Sequence, residues 1–277
     1  MRALTTRPLR LLSSLLLAGC ATSPAIDTRY NALSQDSRVQ FIVLHYTEGD
    51  FATSLDTLTR GKVSSHYLVE RDPPAVYRLV DEDRRAWHAG VSYWQGHTFL
   101  NASSIGIEIV NDGDGGSGGG HFAPYPEAQI AKVVALVRDI AERHGVKPHR
   151  IVGHSDIQPQ TKRDPGPSFP WRRLANEGLI PWPDDAATAA RVSEFEKQPP
   201  TIAWYQQRLA QHGFDVPQSG ELDAGTRTVL SRFQMKYRPS RFDGTPDAES
   251  AALLETVTSP GGLLIVTSDG ERRRYEP

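Results

Sequence analysis

Two spacings of apolar residues divide the first half of the chain into elements. In Phe41-Ile42-Val43-Leu44-His45-Tyr46, the side chains of Phe41, Val43 and His45 alternate with those of Ile42, Leu44 and Tyr46, the two-residue period of a strand. Ala75 to Val80 and Ile105 to Val110 read as further strands, and Ile151-Val152 as a short buried one. After Pro126 the period changes. Ile130, Val133, Val134, Val137, Ile140 and Ala141 recur at helical spacing until Gly145 stops the run. Strands interleaved with helices predict an α/β fold, a mixed central β-sheet flanked by helices.

Beyond residue 200 the pattern is helical throughout. Thr201 to His212 closes at Gly213, Asp223 to Tyr237 carries Leu230, Phe233 and Tyr237 on one face, and Asp247 to Val257 follows. The last two start alike: Asp223 with Thr226 and Leu230 matches Asp247 with Ser250 and Leu254, an acid capping each helix. This predicts a second, small three-helix domain over 201–257. Pro183, Pro199 and Pro200, with alanines and charges between them, mark 183–200 as a linker. Residues 258–277 form a C-terminal tail, with a hairpin expected around Ser268, Asp269 and Gly270. The length of 277 residues suits two domains of about 100–200 residues each. Hydrophobic residues at 38% and charged residues at 23% exclude a fibrous or wholly disordered chain.

The N-terminus belongs to neither domain. Arg2, Arg7 and Arg10 precede a short apolar run from Leu11 to Ala18, well under the about 20 residues needed to span a bilayer. Residues 1–19 therefore read as a signal peptide. The run ends in Leu17-Ala18-Gly19-Cys20, which resembles the lipobox of bacterial lipoproteins. That resemblance implies cleavage before Cys20, acylation of Cys20, and attachment to a membrane through it. The other reading is a buried cysteine in an ordinary secretory signal. With Ala21 rather than an aspartate next, the sorting pattern of such lipoproteins implies the periplasmic face of the outer membrane. Residues 20–38 are the tether. Cys20 is the single cysteine, so no internal disulfide is available.

Removing residues 1–19 takes away three arginines and no acid, so the formal charge moves from −2 to −5. A mildly acidic chain has no electrostatic basis for binding nucleic acid or anionic lipid. No feature specifies an oligomeric state.

Candidate chemistry lies at strand ends. His45 ends the first strand, and His154 follows Ile151-Val152-Gly153. Asp164 comes ten residues later in a turn-rich stretch from Pro159 to Pro170. Two imidazoles and one carboxylate would leave a zinc ion one open position, although a histidine at a strand end also serves as a hydrogen-bonded structural residue. In Ile105-Gly106-Ile107-Glu108-Ile109 the isoleucines share one face, and Glu108 points from the other. Glu108 is either partnered for function or exposed on an edge strand. Lys162 alone reads as a solvated loop charge. The glycine-rich stretch from Gly113 to Gly120 is flexible by composition and is either a site rim or a surface insertion. No G-x-S-x-G elbow is present.

Taken together, Ile42-Val43-Leu44-His45, Ser65-His66-Tyr67, Ala86-Trp87-His88-Ala89-Gly90, Ile105-Gly106-Ile107-Glu108, Val152-Gly153-His154-Ser155-Asp156 and Lys162-Arg163-Asp164-Pro165-Gly166-Pro167 closely resemble the zinc N-acetylmuramoyl-L-alanine amidases. Asn101 and Ser104 match as well. These type 2 amidases share a fold with peptidoglycan-recognition proteins, and the similarity spans roughly residues 39–182 in the family's order. With the lipobox and the second domain, the chain is similar to the AmiD-like lipoprotein branch.

The resemblance implies one zinc ion per chain held by His45, His154 and Asp164, with Glu108 and Lys162 serving the reaction. Glu108 would accept a proton from the attacking water and pass it to the leaving amine. Lys162 would stabilise the oxyanion. His66, Trp87, His88 and Asn101 fall to the substrate groove or to residues behind it, with Trp87 equally suited to a core. Residues 201–257 resemble a three-helix peptidoglycan-binding domain through Gln207 with Leu209, Gly213 with Phe214, Gly220, Thr226 with Phe233 and Gln234, and Asp243 with Gly244. The expected substrates are peptidoglycan and muropeptides. The alternatives are a non-catalytic peptidoglycan-recognition protein and a lipoprotein that only ties membrane to wall.

Overall fold

A computed structural model of the chain describes residues 24–115 and 122–277. The signal segment with Cys20, and the glycines from Gly116 to Gly120, lie outside the described residues. The chain divides into residues 1–35 and residues 36–277. In the first unit, residues 24–35 form no helix or strand.

In the second unit the elements run β1 (Phe41–Tyr46), α1 (Phe51–Arg60), β2 (Tyr67–Val69), β3 (Val76–Arg78), β4 (Tyr93–Trp94), β5 (His97–Thr98), β6 (Ser104–Ile109), α2 (Glu127–His144), β7 (Ile151–Gly153), α3 (His154–Ile157), α4 (Trp171–Asn176) and β8 (Trp182–Pro183). They continue with α5 (Asp185–Lys197), α6 (Ile202–His212), α7 (Ala224–Tyr237), α8 (Ala248–Thr258), β9 (Leu263–Val266) and β10 (Arg272–Tyr275).

The central sheet has the order β3-β2-β6-β1-β7. Its pairings are parallel from β2 through β7, and only β3 runs antiparallel to its neighbour. Both faces of such a sheet must be covered. On one face Ile42, Leu44, Ile105, Ile107 and Ile109 meet Ile130, Val133, Val137 and Ile140 of α2, all buried. The helical period read from the sequence is that contact. Gly145 closes α2 in the left-handed conformation at φ 67°, where a glycine carries no Cβ penalty.

The opposite face is covered by the C-terminal helices. Phe41, Val43 and Val152 share one apolar cluster with Tyr205, Leu209, Phe214, Leu230, Phe233 and Leu254. Thr201, Asp223 and Asp247 each accept a backbone N–H at the start of α6, α7 and α8. The stretch 183–200, expected as a linker, carries the 13-residue α5. It is capped by Asp184 and joined to α8 through a hydroxyl contact of Thr188 with Thr256 at 3.1 Å. The tail forms the antiparallel pair β9–β10, and β9 also pairs with β8. No helix among the described residues is long and apolar enough to cross a membrane.

Candidate metal centre and active site

Strand register brings the site together. Paired residues on parallel strands present side chains to the same face, and His45 on β1 pairs with Glu108 on β6. Leu44 pairs with Gly153, the last residue of β7, so His154 emerges beside His45 where the chain turns into α3. Asp164 is carried back by the loop after α3. The Ser155 N–H donates to the Asp164 carbonyl (2.9 Å), and the Tyr125 hydroxyl donates to the Pro165 carbonyl (2.8 Å). Gly153 makes the approach possible: a Cβ there would lie 2.8 Å from Pro165 Cδ. β6 lies inside the sheet, so the edge-strand reading of Glu108 is excluded.

Three ligand atoms form a nearly equilateral triangle. His45 Nδ1, His154 Nδ1 and Asp164 Oδ2 are each 3.0 Å from the other two. All three residues are buried. A proton can bridge one pair of these atoms at a time, whereas a cation satisfies all three lone pairs. Two imidazole nitrogens and one carboxylate oxygen are a catalytic zinc donor set. A tetrahedron of ligands at about 2.0–2.1 Å has edges of about 3.3–3.4 Å, so the 3.0 Å triangle need spread only slightly to take the ion. The residues fit the metal.

Electrostatics agree with that fit. Burial, reinforced by the charge of His154, pushes the His45 imidazole down to about 4, so it is a neutral donor at neutral pH. Burial alone would push the Asp164 carboxyl up, yet the charge of His154 and the close approach of both imidazoles hold it well below the usual range. Glu108 goes the other way. Burial, with the Asp164 charge added, raises its carboxyl well above the ordinary value, against the opposing pull of Lys162. Glu108 Oε2 is buried without a hydrogen-bond partner among the described residues.

The triangle faces a cavity of about 370 Å³, whose walls include Glu108, Lys162, His88 and Trp87. α1 supplies one side through Ser54, Thr57 and Leu58. Trp87 stands at the rim, half exposed, with the Arg85 guanidinium 4.1 Å over its ring. The core reading of Trp87 is thereby excluded. Arg163 also lines the cavity and pairs with Asp114 at 2.7 Å, so the described start of the glycine stretch turns at the rim.

Two residues expected in the groove lie behind it. His66 is fully buried: its Nδ1 accepts from the Gly106 N–H (3.0 Å) and its Nε2 donates to the Arg84 carbonyl (3.2 Å). Asn101 is also buried, its Oδ1 accepting the backbone N–H groups of His88 and Ala89 at 2.9 and 2.7 Å. Each satisfies backbone groups that would otherwise be orphaned, and neither touches the cavity. Asp156 has a role that the sequence reading missed. Its Oδ2 accepts from the Gly153 N–H (2.8 Å) and from Lys236 Nζ of α7 (2.6 Å), fixing the backbone immediately before His154. The partner is 80 residues away, and nothing local in the sequence signals it.

A family profile described as N-acetylmuramoyl-L-alanine amidase matches residues 35–167, and one described as a putative peptidoglycan binding domain matches residues 198–254. The chain is 42% identical over 270 residues to the N-acetylmuramoyl-L-alanine amidase AmiD of Escherichia coli, covering 90% of this chain and 96% of that protein. The chain belongs to the N-acetylmuramoyl-L-alanine amidase family. Among solved structures this amidase is similar to AmpDh3 of Pseudomonas aeruginosa in complex with an anhydromuramic pentapeptide. The TM-score is 0.77 at 38% identity, over 83% of this chain and 96% of that one. Escherichia coli AmiD, in complex with anhydro-N-acetylmuramic acid-L-Ala-D-gamma-Glu-L-Lys, matches with a TM-score of 0.73 at 40% identity, over 83% and 92% of the two chains. The amidase fold and the His-His-Asp cluster thus occur together in a chain that aligns nearly end to end with Escherichia coli AmiD.

Proposed function

We propose that this amidase uses one zinc ion, held by His45, His154 and Asp164, to hydrolyse the amide bond between N-acetylmuramic acid, or its anhydro form, and L-alanine of the stem peptide. The observation that carries the reading is the buried triangle of three ligand atoms with 3.0 Å edges, open to a cavity that Glu108 and Lys162 also line. When bound, zinc supplies Lewis acidity at the scissile carbonyl and lowers the pKa of water toward about 7.

Glu108 is the proton carrier. Its raised proton affinity suits a group that must take a proton from the attacking water and return it to the departing amine. Its Oε2, without a hydrogen-bond partner among the described residues, is available to that water. Lys162 lines the same cavity, and its ammonium stabilises the oxyanion of the tetrahedral intermediate. Trp87 offers an apolar face at the rim to sugar or peptide.

The same reading extends to the rest of the chain. The α6–α8 unit contacts peptidoglycan and raises the local substrate concentration. Cys20, acylated after cleavage of residues 1–19, anchors the enzyme at the periplasmic face of the outer membrane, where about two acyl signals are needed for stable attachment. The complete ligand set and the presence of Glu108 favour catalysis over recognition alone.

Digestion of purified wall and of anhydro-muropeptides, with mass analysis of products, tests the activity. Free stem peptide is expected from the intact enzyme and none from His154→Ala, which also loses zinc. Release of stem peptide by zinc-free His154→Ala would refute the assignment. Cys20→Ala is expected to move the protein from the membrane to the soluble fraction.

A further inference from the structure

A line of buried polar groups leads from His45 away from the metal position. His45 Nε2 lies 3.0 Å from His88 Nδ1, and His88 Nε2 lies 3.1 Å from Ser104 Oγ. Ser104 Oγ lies 2.6 Å from the Leu100 carbonyl oxygen. His45, His88 and Ser104 are 1%, 7% and 0% exposed.

The end of this line sets the direction of every hydrogen bond in it. A carbonyl oxygen only accepts, so at 2.6 Å the Ser104 hydroxyl must donate its single hydrogen to Leu100. Ser104 Oγ then accepts from His88 Nε2–H. With its hydrogen on Nε2, neutral His88 offers Nδ1 as an acceptor, and the group facing it is His45 Nε2, which must carry a hydrogen. The Nδ1 of neutral His45 is left as a bare lone pair, and Nδ1 is the atom that faces His154 and Asp164. Reversing the line would set two oxygen lone pairs against each other at 2.6 Å. It would also put a hydrogen on His45 Nδ1, where a metal ligand needs none.

We infer that His88 and Ser104 are positioning residues whose hydrogen-bond line, anchored on the Leu100 carbonyl, holds His45 in the Nε2–H tautomer and aims its bare Nδ1 at the metal. The surroundings are built for this line. Gly106 leaves room for the His88 ring, since a Cβ there would lie 2.5 Å from His88 Cγ. Asn101 clamps the backbone at His88 and Ala89, and His66 backs the His88 ring with centroids 5.7 Å apart. His154 obtains the same result by a shorter route, its Nε2 donating to Gln158 Oε1 at 3.2 Å.

The inference rests on His45 being a ligand, and two measurements on the full-length protein separate the claims. In the metal-free wild type labelled with 15N-histidine, imidazole nitrogen shifts should report His45 and His88 both as Nε2–H tautomers. A hydrogen on His45 Nδ1 overturns the inference whether or not zinc binds. Competition with a chromophoric chelator then gives the zinc dissociation constant. Ser104→Ala should raise it by about 10- to 100-fold, the range for partners behind a metal ligand, and Ser104→Thr, which keeps the hydroxyl, should restore it. An unchanged constant in Ser104→Ala overturns the relay. Should Ser104→Ala fail to fold, the wild-type tautomer decides. Absence of zinc binding in the wild type sinks the functional reading and leaves the tautomer result standing.

Discussion

Glu108 and Lys162 reach one cavity from different elements, and substitution separates their roles. Glu108→Gln keeps the shape and loses the base, so kcat should fall by about 10²–10⁴ with zinc content unchanged. Lys162→Ala should lower kcat by about 10²–10³. Steady-state rates on a defined muropeptide, beside metal analysis, check both. Full turnover by Glu108→Gln would remove it from the reaction. Gly106→Ala forces a methyl into the His88 ring, and overpacking of this kind costs about 1–3 kcal/mol, measurable as a lower midpoint in denaturant. His45 and Glu108 could be singled out in the sequence because both stand near the ends of apolar strands, where a polar residue stands out. His66 and Asn101 could not be placed, because burying a polar side chain behind a site leaves the same sequence pattern as exposing it in front.

The helices and strands differ in how openly they declare themselves. α2 was legible because its buried residues repeat every three or four positions along 18 residues. α1 was not. Only Ser54 and Leu58 of its ten residues are buried, too few to set a period. α5 buries Thr188 alone and is flanked by the prolines that suggested a linker. One ion network ties β2 to α2 through the loop after β3: Tyr67, Arg143 and His144 all hydrogen-bond Glu82. The Arg143 guanidinium, against the opposing pull of burial and with help from Tyr67 and His144, brings the Glu82 carboxyl down to about 2. A depressed carboxylate contributes stability that is complete above its unfolded value of about 4.3 and is lost as pH falls through the folded value. The stability difference between wild type and Glu82→Gln should therefore shrink as pH falls from about 4.3 to 2, as denaturation at stepped pH would record. A difference that stays constant would mean the carboxylate charge is not what binds these elements.

Across the whole of residues 36–277 the helical segment and the sheet share an interior. Lys236 of α7 sits 4.3 Å over the Trp171 ring and 2.6 Å from Asp156, and both charged groups are buried. Lys236→Met would leave Asp156 charged and unpaired beside His154. Breaking a buried pair in this way costs about 3–5 kcal/mol, readable from chemical denaturation, whereas a loss under 1 kcal/mol would show that solvent reaches Asp156. A chain ending at residue 182 should aggregate, because Phe41, Val43, Val152 and Ile157 would face water. A monodisperse, folded fragment in size-exclusion chromatography would refute this. The two apolar faces of β1 already hinted that both were covered, but a sequence names no partner so far along the chain.

Modular hydrolases can trade one carbohydrate-binding appendage for another, because a flexible hinge asks nothing of either side. This chain has given up that freedom. Its α6–α8 unit is clamped to the reverse of β1 and, through Asp156, to the peptide bond ahead of His154, so any replacement would have to reproduce both the apolar surface behind the sheet and the Lys236 contact. The two halves should then be inherited together.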